Sequence, residues 1–186
     1  MRISRTAGLP LAAIALVVSV YAQDTIDCSR RSLAKAISNG NGQSTIRFTG
    51  ICNESVVIST DGLTLIGVGT AIIDGGKHDA VTIAGVHSVS LSNFEVRNGL
   101  NGIIGTNGTH VSLSNLKSHD NLLSGISLQT ASSAILNGVT VEKNKLHGLN
   151  LETGSAATVT GAFTTSGNQV FGVNVNGSSI TFTHAN

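Results

Sequence analysis

The chain has 186 residues, a length that suits one domain. Charged residues make up only 11% and aromatics 3%, while hydrophobic residues reach 40% beside 22 Gly, 22 Ser, 19 Thr and 16 Asn. That profile excludes a helical bundle and a charged disordered chain, and a formal net charge of +1 leaves no basic excess to neutralise nucleic-acid phosphates.

Residues 1–22 read as a secretory signal peptide. Arg2 and Arg5 give a positive start, Leu11 to Val18 is an unbroken apolar run, and Val20-Tyr21-Ala22 places small residues at a cleavage site. The apolar run is too short for a spanning helix, although a retained anchor is the rival reading. Cleavage after Ala22 would remove two positive charges and leave nine Lys and Arg against ten Asp and Glu, a net of −1. The expected location is therefore outside the cytoplasm, secreted or periplasmic, with no membrane span after cleavage.

The next segment, residues 23–44, reads as an N-terminal cap. Its Cys28 and the later Cys52 form an even pair in an exported chain, which favours a disulfide over reactive thiols. Closing a loop of about 25 residues is worth roughly 3.5 kcal/mol in the chain-entropy model. Ser32-Leu-Ala-Lys-Ala-Ile-Ser38 predicts a short helix, with Ser32 as its cap, Leu33, Ala36 and Ile37 on one face, and Gly40 or Gly42 to stop it.

Residues 45–186 repeat. Asn98, Asn121, Asn144 and Asn168 are spaced 23, 23 and 24 apart, and four residues after each stands a glycine: Gly102, Gly125, Gly148, Gly172. An aliphatic residue follows each glycine. Leu91, Leu113, Leu136, Val159 and Phe182 run in phase, as do Phe94, Leu116, Val139 and Phe163. Inside each repeat apolar residues alternate over short runs, the period of a strand. Three short strands per roughly 23 residues describe one coil of a parallel β-helix, each strand pairing with its copy about 4.8 Å along the axis. An antiparallel sandwich would explain the alternation but not the fixed phase of Asn and Gly. The expectation is five to six coils. Asn98, Asn121, Asn144 and Asn168 are assigned to one structural ladder and Asn93, Asn115 and Asn137 to another, at corners where Asn tolerates left-handed backbone. Gly102 and its copies are read as corner residues that need no Cβ.

Together, the leader, the Ser-Leu-Ala-Lys-Ala-Ile helix, Leu63-Thr-Leu-Ile-Gly67 leading to Ala71-Ile-Ile-Asp-Gly75, and the Asn–Gly coils resemble secreted bacterial right-handed parallel β-helix proteins of the pectin-lyase-like superfamily. The resemblance covers about residues 28–186. It implies a right-handed all-β solenoid. Characterised members are mostly polysaccharide lyases, hydrolases and epimerases, with adhesins and tailspikes among the rest, so fold alone does not assign activity. The chemistry of those enzymes is not legible here. The ten acids are scattered, and Asn-Thr-Asp, Asp-Asp, Gly-His-Gly and Asp-Pro-His-Asp segments are all missing from the sequence. No catalytic or metal-ligating residue is assigned and no cofactor is expected. A weak calcium site near Asp74 and Asp79 is weighed against a solvated turn.

Counting inward positions gives the outward ones. Glu95, Lys117 and Thr140 should form one surface column and Arg97, His119 and Glu142 the next, the densest charged patch expected on the surface. Glu95, Arg97, Lys117, His119 and Glu142 are therefore the candidate ligand-contact face, with His119 as a possible acid or base beside Glu142. The plainer reading is a pair of charge ladders that stabilise stacked coils. A second outward face carries Ser90, Ser112, Ile135, Thr158, Thr181 and Ser92, Ser114, Asn137, Thr160, Thr183, a flat hydroxyl array resembling the face of ice-binding solenoids. The expected function is contact with extracellular polysaccharide by a non-catalytic binding or scaffold module. The alternatives are a carbohydrate-active enzyme of the pectin-lyase-like type or a fragment of a longer one. Ile180-Thr-Phe-Thr183 still reads as strand, so the last coil is expected to be uncapped and free to pair with another chain.

Overall fold

The computed structural model describes residues 24–39 and 44–183. Residues 1–22, where a leader is expected, and the expected helix stops Gly40 and Gly42 lie outside the described residues. In chain order the elements are β1 (Thr25–Asp27), α1 (Leu33–Ser38), β2 (Thr45–Asn53), β3 (Val56–Ile58), β4 (Thr64–Asp74), β5 (Val81–Ala84), β6 (Val89–Arg97), β7 (Ile103–Thr106) and β8 (His110–His119). They continue with β9 (Ile126–Leu128), β10 (Ser133–Glu142), β11 (His147–Glu152), β12 (Ala156–Val159), β13 (Phe163–Ser166), β14 (Phe171–Asn176) and β15 (Ser179–Phe182).

The strands stack as a solenoid. One sheet runs β1-β2-β4-β6-β8-β10-β12-β15, with β13 also on β10, and the other runs β14-β11-β9-β7-β5-β3. Every pairing is parallel, as copies of one coil must be. The coils number about seven, more than the five to six expected. The surplus lies at the N-terminal end, where irregular pairings hide the period. Thr25 pairs with Arg47, Arg47 with Ile66 and Ile66 with Ser92, so successive steps differ by several residues.

Two of the three expected faces belong to one continuous sheet. The long strands β6, β8 and β10 bend where Asn93, Asn115 and Gly138 adopt φ of 62°, 50° and 67°. These three residues share a register: Ser114 pairs with Asn137 and Leu116 with Val139, which sets Gly138 opposite Asn115. The second Asn ladder is therefore two residues long. Asn115 Nδ2 donates to Asn93 Oδ1 at 3.2 Å, and glycine takes the corner in the next coil. Asn137 stands one place earlier than its spacing suggested.

Inside, like stacks on like. Leu91, Leu113, Leu136 and Val159 are in register and buried, and Phe94, Leu116 and Val139 form a second buried column. Each such side chain contributes about 1.5–3 kcal/mol by leaving water. Phe48 meets Phe94 edge to face at 5.2 Å near the N-terminal end.

That end is covered by α1. Ser32 is its N-cap, accepting from Lys35 N at 3.1 Å, and Leu33 and Ile37 are buried. Glu54, just after β2, locks the cap in place. Its carboxylate accepts from Leu33 N and from Ser32 Oγ, each at 2.6 Å. A carboxylate on free N–H groups at a helix start is favourable twice, by hydrogen bonding and by charge. Cys28 and Cys52 form the disulfide, with Cα atoms 5.0 Å apart, tying the strap before α1 to β2.

Candidate functional site

The repeat motif couples each coil to the next. Asn121 Nδ2 donates to Asn144 Oδ1 at 2.8 Å, and Asn144 Nδ2 donates to Asn168 Oδ1 at 2.9 Å. Each Oδ1 also accepts the backbone N–H of the asparagine one coil earlier. Asn121 and Asn144 are fully buried. A Cβ on Gly102 would lie 2.9 Å from Asn121 Nδ2, one on Gly125 2.7 Å from Asn144 Nδ2, and one on Gly148 2.8 Å from Asn168 Nδ2. The glycine of one coil thus makes room for the amide of the next. These glycines do not have the positive φ of a sharp corner; close packing is what demands them.

Asn98 is not part of this ladder. Arg97 pairs with His119, so Gly99, not Asn98, stands opposite Asn121, and Gly99 N donates to Asn121 Oδ1 at 2.9 Å. A side chain at Gly99 would run into Asn101 O, 2.5 Å from an ideal Cβ. Asn98 occupies the left-handed corner instead, with φ 55°, in register with Asp120, Lys143 and Gly167, and it donates to Asp74 Oδ2 at 2.7 Å. Spacing misled because this coil is one residue shorter between Arg97 and Ile103 than the next between His119 and Ile126.

Two further columns went unread in the sequence. Leu100, Leu123, Leu146 and Val170 lie two residues after each motif Asn and are linked coil to coil by backbone hydrogen bonds, a partly exposed aliphatic ridge. The motif is thus N-x-[LV]-x-G-[ILV], a signal present at fixed phase. On the outer side of the smaller sheet, Asn174 donates to Asn150 and Asn150 to Ser127 Oγ.

The structure brings Glu95, Arg97, Lys117, His119 and Glu142 onto one face, in the columns Glu95–Lys117–Thr140 and Arg97–His119–Glu142. Each is already engaged within the protein. Arg97 Nε reaches Asp74 Oδ2 at 3.1 Å and Lys117 Nζ reaches Glu142 Oε1 at 3.0 Å. The Lys117 hydrogen bond holds the Glu142 carboxyl below its usual range and raises the Lys117 ammonium correspondingly. His119 turns to Glu95 and Asp120, not to Glu142. Its Nε2 lies 3.3 Å from Glu95 Oε2 and its Nδ1 2.6 Å from Asp120 Oδ2. Both cations of the face thus reach a carboxylate in a neighbouring coil, so it closes as a zipper of ion pairs, Arg97–Asp74 and Lys117–Glu142, and of His119 hydrogen bonds. Such exposed pairs are worth about 0–1 kcal/mol each.

A shallow polar groove of about 450 Å³ borders this face along the Asn93–Asn115 corner, lined by Thr70, Asn93, Glu95, Asn115, Lys117 and Thr140. It crosses four coils, roughly 14 Å along the axis at 4.8 Å per coil. Asp74 and Asp79, the weak calcium possibility, each serve donors of their own chain. Asp74 takes Arg97 and Asn98, and Asp79 Oδ1 takes the backbone and side-chain N–H groups of Asn101, both at 2.9 Å. Among the described residues, the group of three metal-type donors is Cys28, Cys52 and Glu54, whose sulfurs are joined in the disulfide and whose carboxylate holds α1. The hydroxyl face has the expected register, Ser90–Ser112–Ile135–Thr158–Thr181.

A parallel solenoid of stacked coils, tied by an asparagine ladder, defines the class. Within it, the chain belongs to the right-handed β-helix family: the model of that family, described as a right-handed β-helix region, matches residues 54–186. No curated protein and no solved structure matched the chain. Among the described residues no helix is long and apolar enough to cross a membrane.

Proposed function

We propose that this is an exported β-helix scaffold of the pectin-lyase-like kind that contacts extracellular polysaccharide through the charged face and its groove without cleaving it. The observation that carries the reading is the closure of the ion-pair zipper. Each of Glu95, Arg97, Lys117, His119 and Glu142 is paired within the chain, so the face offers hydrogen-bonding groups over several coils and no free acid–base couple. The polar groove alongside suits an extended, hydroxyl-rich chain lying along the axis. One feature favours the alternative, a carbohydrate-active enzyme. His119 Nδ1 lies 2.6 Å from Asp120 Oδ2, the way a carboxylate orients a general acid or base, although a substrate would have to displace Glu95, 3.3 Å from Nε2, to reach the other ring nitrogen.

The test is to incubate purified protein with neutral polysaccharides and polyuronates, with and without calcium, and to measure both retention and chain length. Retention of at least one polymer at unchanged length, weakened by Lys117→Gln, is expected. Shortened chains or unsaturated uronate ends would overturn the non-catalytic reading and make Glu95→Gln and His119→Gln the next variants. No retention on any polymer would sink polysaccharide contact. Export is checked separately, by sequencing the N-terminus of the released protein for a start at residue 23.

A further inference from the structure

The bend within the larger sheet is not built alike in every coil. Ile66 pairs with Ser92 and Ile72 with Glu95, so five residues of β4, 67–71, stand against two of β6, 93–94. The three extra residues make a bulge. It sits directly on the bend, since an ideal Cβ on Gly67 would lie 2.1 Å from Asn93 O. Gly69, with φ 62°, and Thr70 are exposed on it. Bulges interrupt a regular strand surface and re-aim side chains, and they gather next to functional sites. Here the bulge walls one end of the polar groove of about 450 Å³.

The floor of the groove is the short amide ladder. Asn115 Nδ2 donates to Asn93 Oδ1, which leaves over the Asn93 Nδ2 donor at one end and the Asn115 Oδ1 acceptor at the other. Gly138 comes next, and an ideal Cβ there would lie 2.5 Å from Asn115 Oδ1, so glycine keeps that acceptor open. Along one side stand Glu95, Lys117 and Thr140, in register over three coils. Glu95 uses Oε2 on His119 and has Oε1 to spare, while Lys117 is committed to Glu142. Among the described residues the groove thus presents amide and hydroxyl groups and one spare carboxylate oxygen, and its cation is already paired.

We propose that this groove selects an uncharged polysaccharide and rejects chains that carry a charge on every unit. The inference rests on the polysaccharide reading and names its ligand class. Glu95 and Lys117 are in register on neighbouring coils, about 4.8 Å apart along the axis. An extended sugar chain lying along the groove advances by about that distance per unit, so successive units meet opposite charges. A polyuronate then sets a carboxylate against Glu95, and a polyamine chain such as chitosan sets an ammonium against Lys117. Like charges brought together weaken binding, and such repulsion is a common source of specificity. A neutral chain meets neither penalty. Its hydroxyls can donate to Glu95 Oε1, in a charge-assisted bond, and to Asn115 Oδ1, and can accept from Asn93 Nδ2.

Retention of the purified protein on immobilised β-glucan, mannan, polygalacturonate and chitosan tests this. At least one neutral polymer should hold it about tenfold or more better than either charged one. That retention should change less than about twofold between low and high salt. Asn93→Asp keeps the acceptor that Asn115 uses and the tolerance for left-handed backbone, but turns the spare donor into a charged acceptor. It should weaken retention on the neutral polymer by about tenfold or more. Glu95→Gln removes the charge and keeps the shape, and should raise retention on polygalacturonate by about tenfold. Ser112→Ala, on the hydroxyl face, should leave the pattern unchanged. Circular dichroism and urea unfolding establish that each variant is folded. Polygalacturonate or chitosan held as strongly as the neutral polymers, or a pattern indifferent to Asn93→Asp or to Glu95→Gln in folded protein, would overturn the selection while leaving polysaccharide contact standing. Failure to bind any of the four would overturn both.

Discussion

Replacing Asn144 by Ala should be among the costliest single changes outside the apolar core. Its side chain is fully buried and makes four contacts. Nδ2 donates to Asn168 Oδ1 and to Ser118 O, and Oδ1 accepts from Asn121 Nδ2 and from Asn121 N. Alanine removes all four and strands the Asn121 N–H beneath a coil, where water does not reach. A buried hydrogen bond contributes about 1 kcal/mol net and an orphaned buried group costs about 1–3 kcal/mol. The expected loss is therefore roughly 3–5 kcal/mol, a large part of the 5–15 kcal/mol typical of a domain. With a urea slope of about 2 kcal/mol/M the midpoint falls by roughly 2 M. Asn98→Ala provides the contrast. Asn98 is exposed, and what alanine loses there is one bond to Asp74 and tolerance for a left-handed corner, about 1–2 kcal/mol. Asn98→Gly should be nearly neutral. Urea unfolding of the three variants, followed by circular dichroism, distinguishes them. Equal midpoints for Asn98→Ala and Asn144→Ala would refute the ladder register, because spacing alone makes the two positions equivalent.

Reducing the disulfide, or the double change Cys28→Ser and Cys52→Ser, should cost about 3.5 kcal/mol by chain entropy, and thiol titration of the unfolded native protein should find no free thiol. Glu54→Ala removes the acceptor of both Leu33 N and Ser32 Oγ. Amide exchange in α1 should speed up about tenfold or more while the central coils keep their protection. His147 is buried with an unpaired Nδ1 and stacks on Phe171 at 5.4 Å, and burial pushes its imidazole pKa down. Its unfolded form therefore binds a proton first. Stability should be level above the usual histidine value of about 6.5 and fall as pH drops from there towards the lowered folded pKa. His147→Phe should flatten that part of the profile, measured as midpoint against pH. Lys117→Met should change stability by less than about 1 kcal/mol, because its pair with Glu142 is at the surface.

The coils were legible in the sequence because every coil after β5 repeats its inward residues at nearly constant phase. Leu91, Leu113, Leu136 and Val159 announce a column by identity alone. The charged columns followed from the same counting, since alternation fixes which side of a strand each residue takes. The failures have one physical source. Parallel stacking is set by backbone hydrogen bonds in the strands, and loops between strands can differ by a residue without disturbing it. Asn98 and Asn137 each sit one place off their apparent copies for that reason, and glycine fills the register position in both cases. The N-terminal coils were missed because larger loop differences erase the period. Which carboxylate His119 would choose was not legible either. Glu95, Asp120 and Glu142 all neighbour it, and only side-chain directions decide among them.

At Asn98, Asp120, Lys143 and Gly167 the backbone turns the same left-handed way beneath four chemically different groups, all of them exposed. The turn is held by strands on either side and, after Asp120, Lys143 and Gly167, by the motif asparagine one residue later, so any group that tolerates left-handed backbone can stand there. That corner is a graduated rail with mounting points about 4.8 Å apart. In this chain the marks read neutral, acidic, basic and blank. Rewriting them would redraw the surface potential along the solenoid at the spacing of its coils, leaving the stack beneath unaltered.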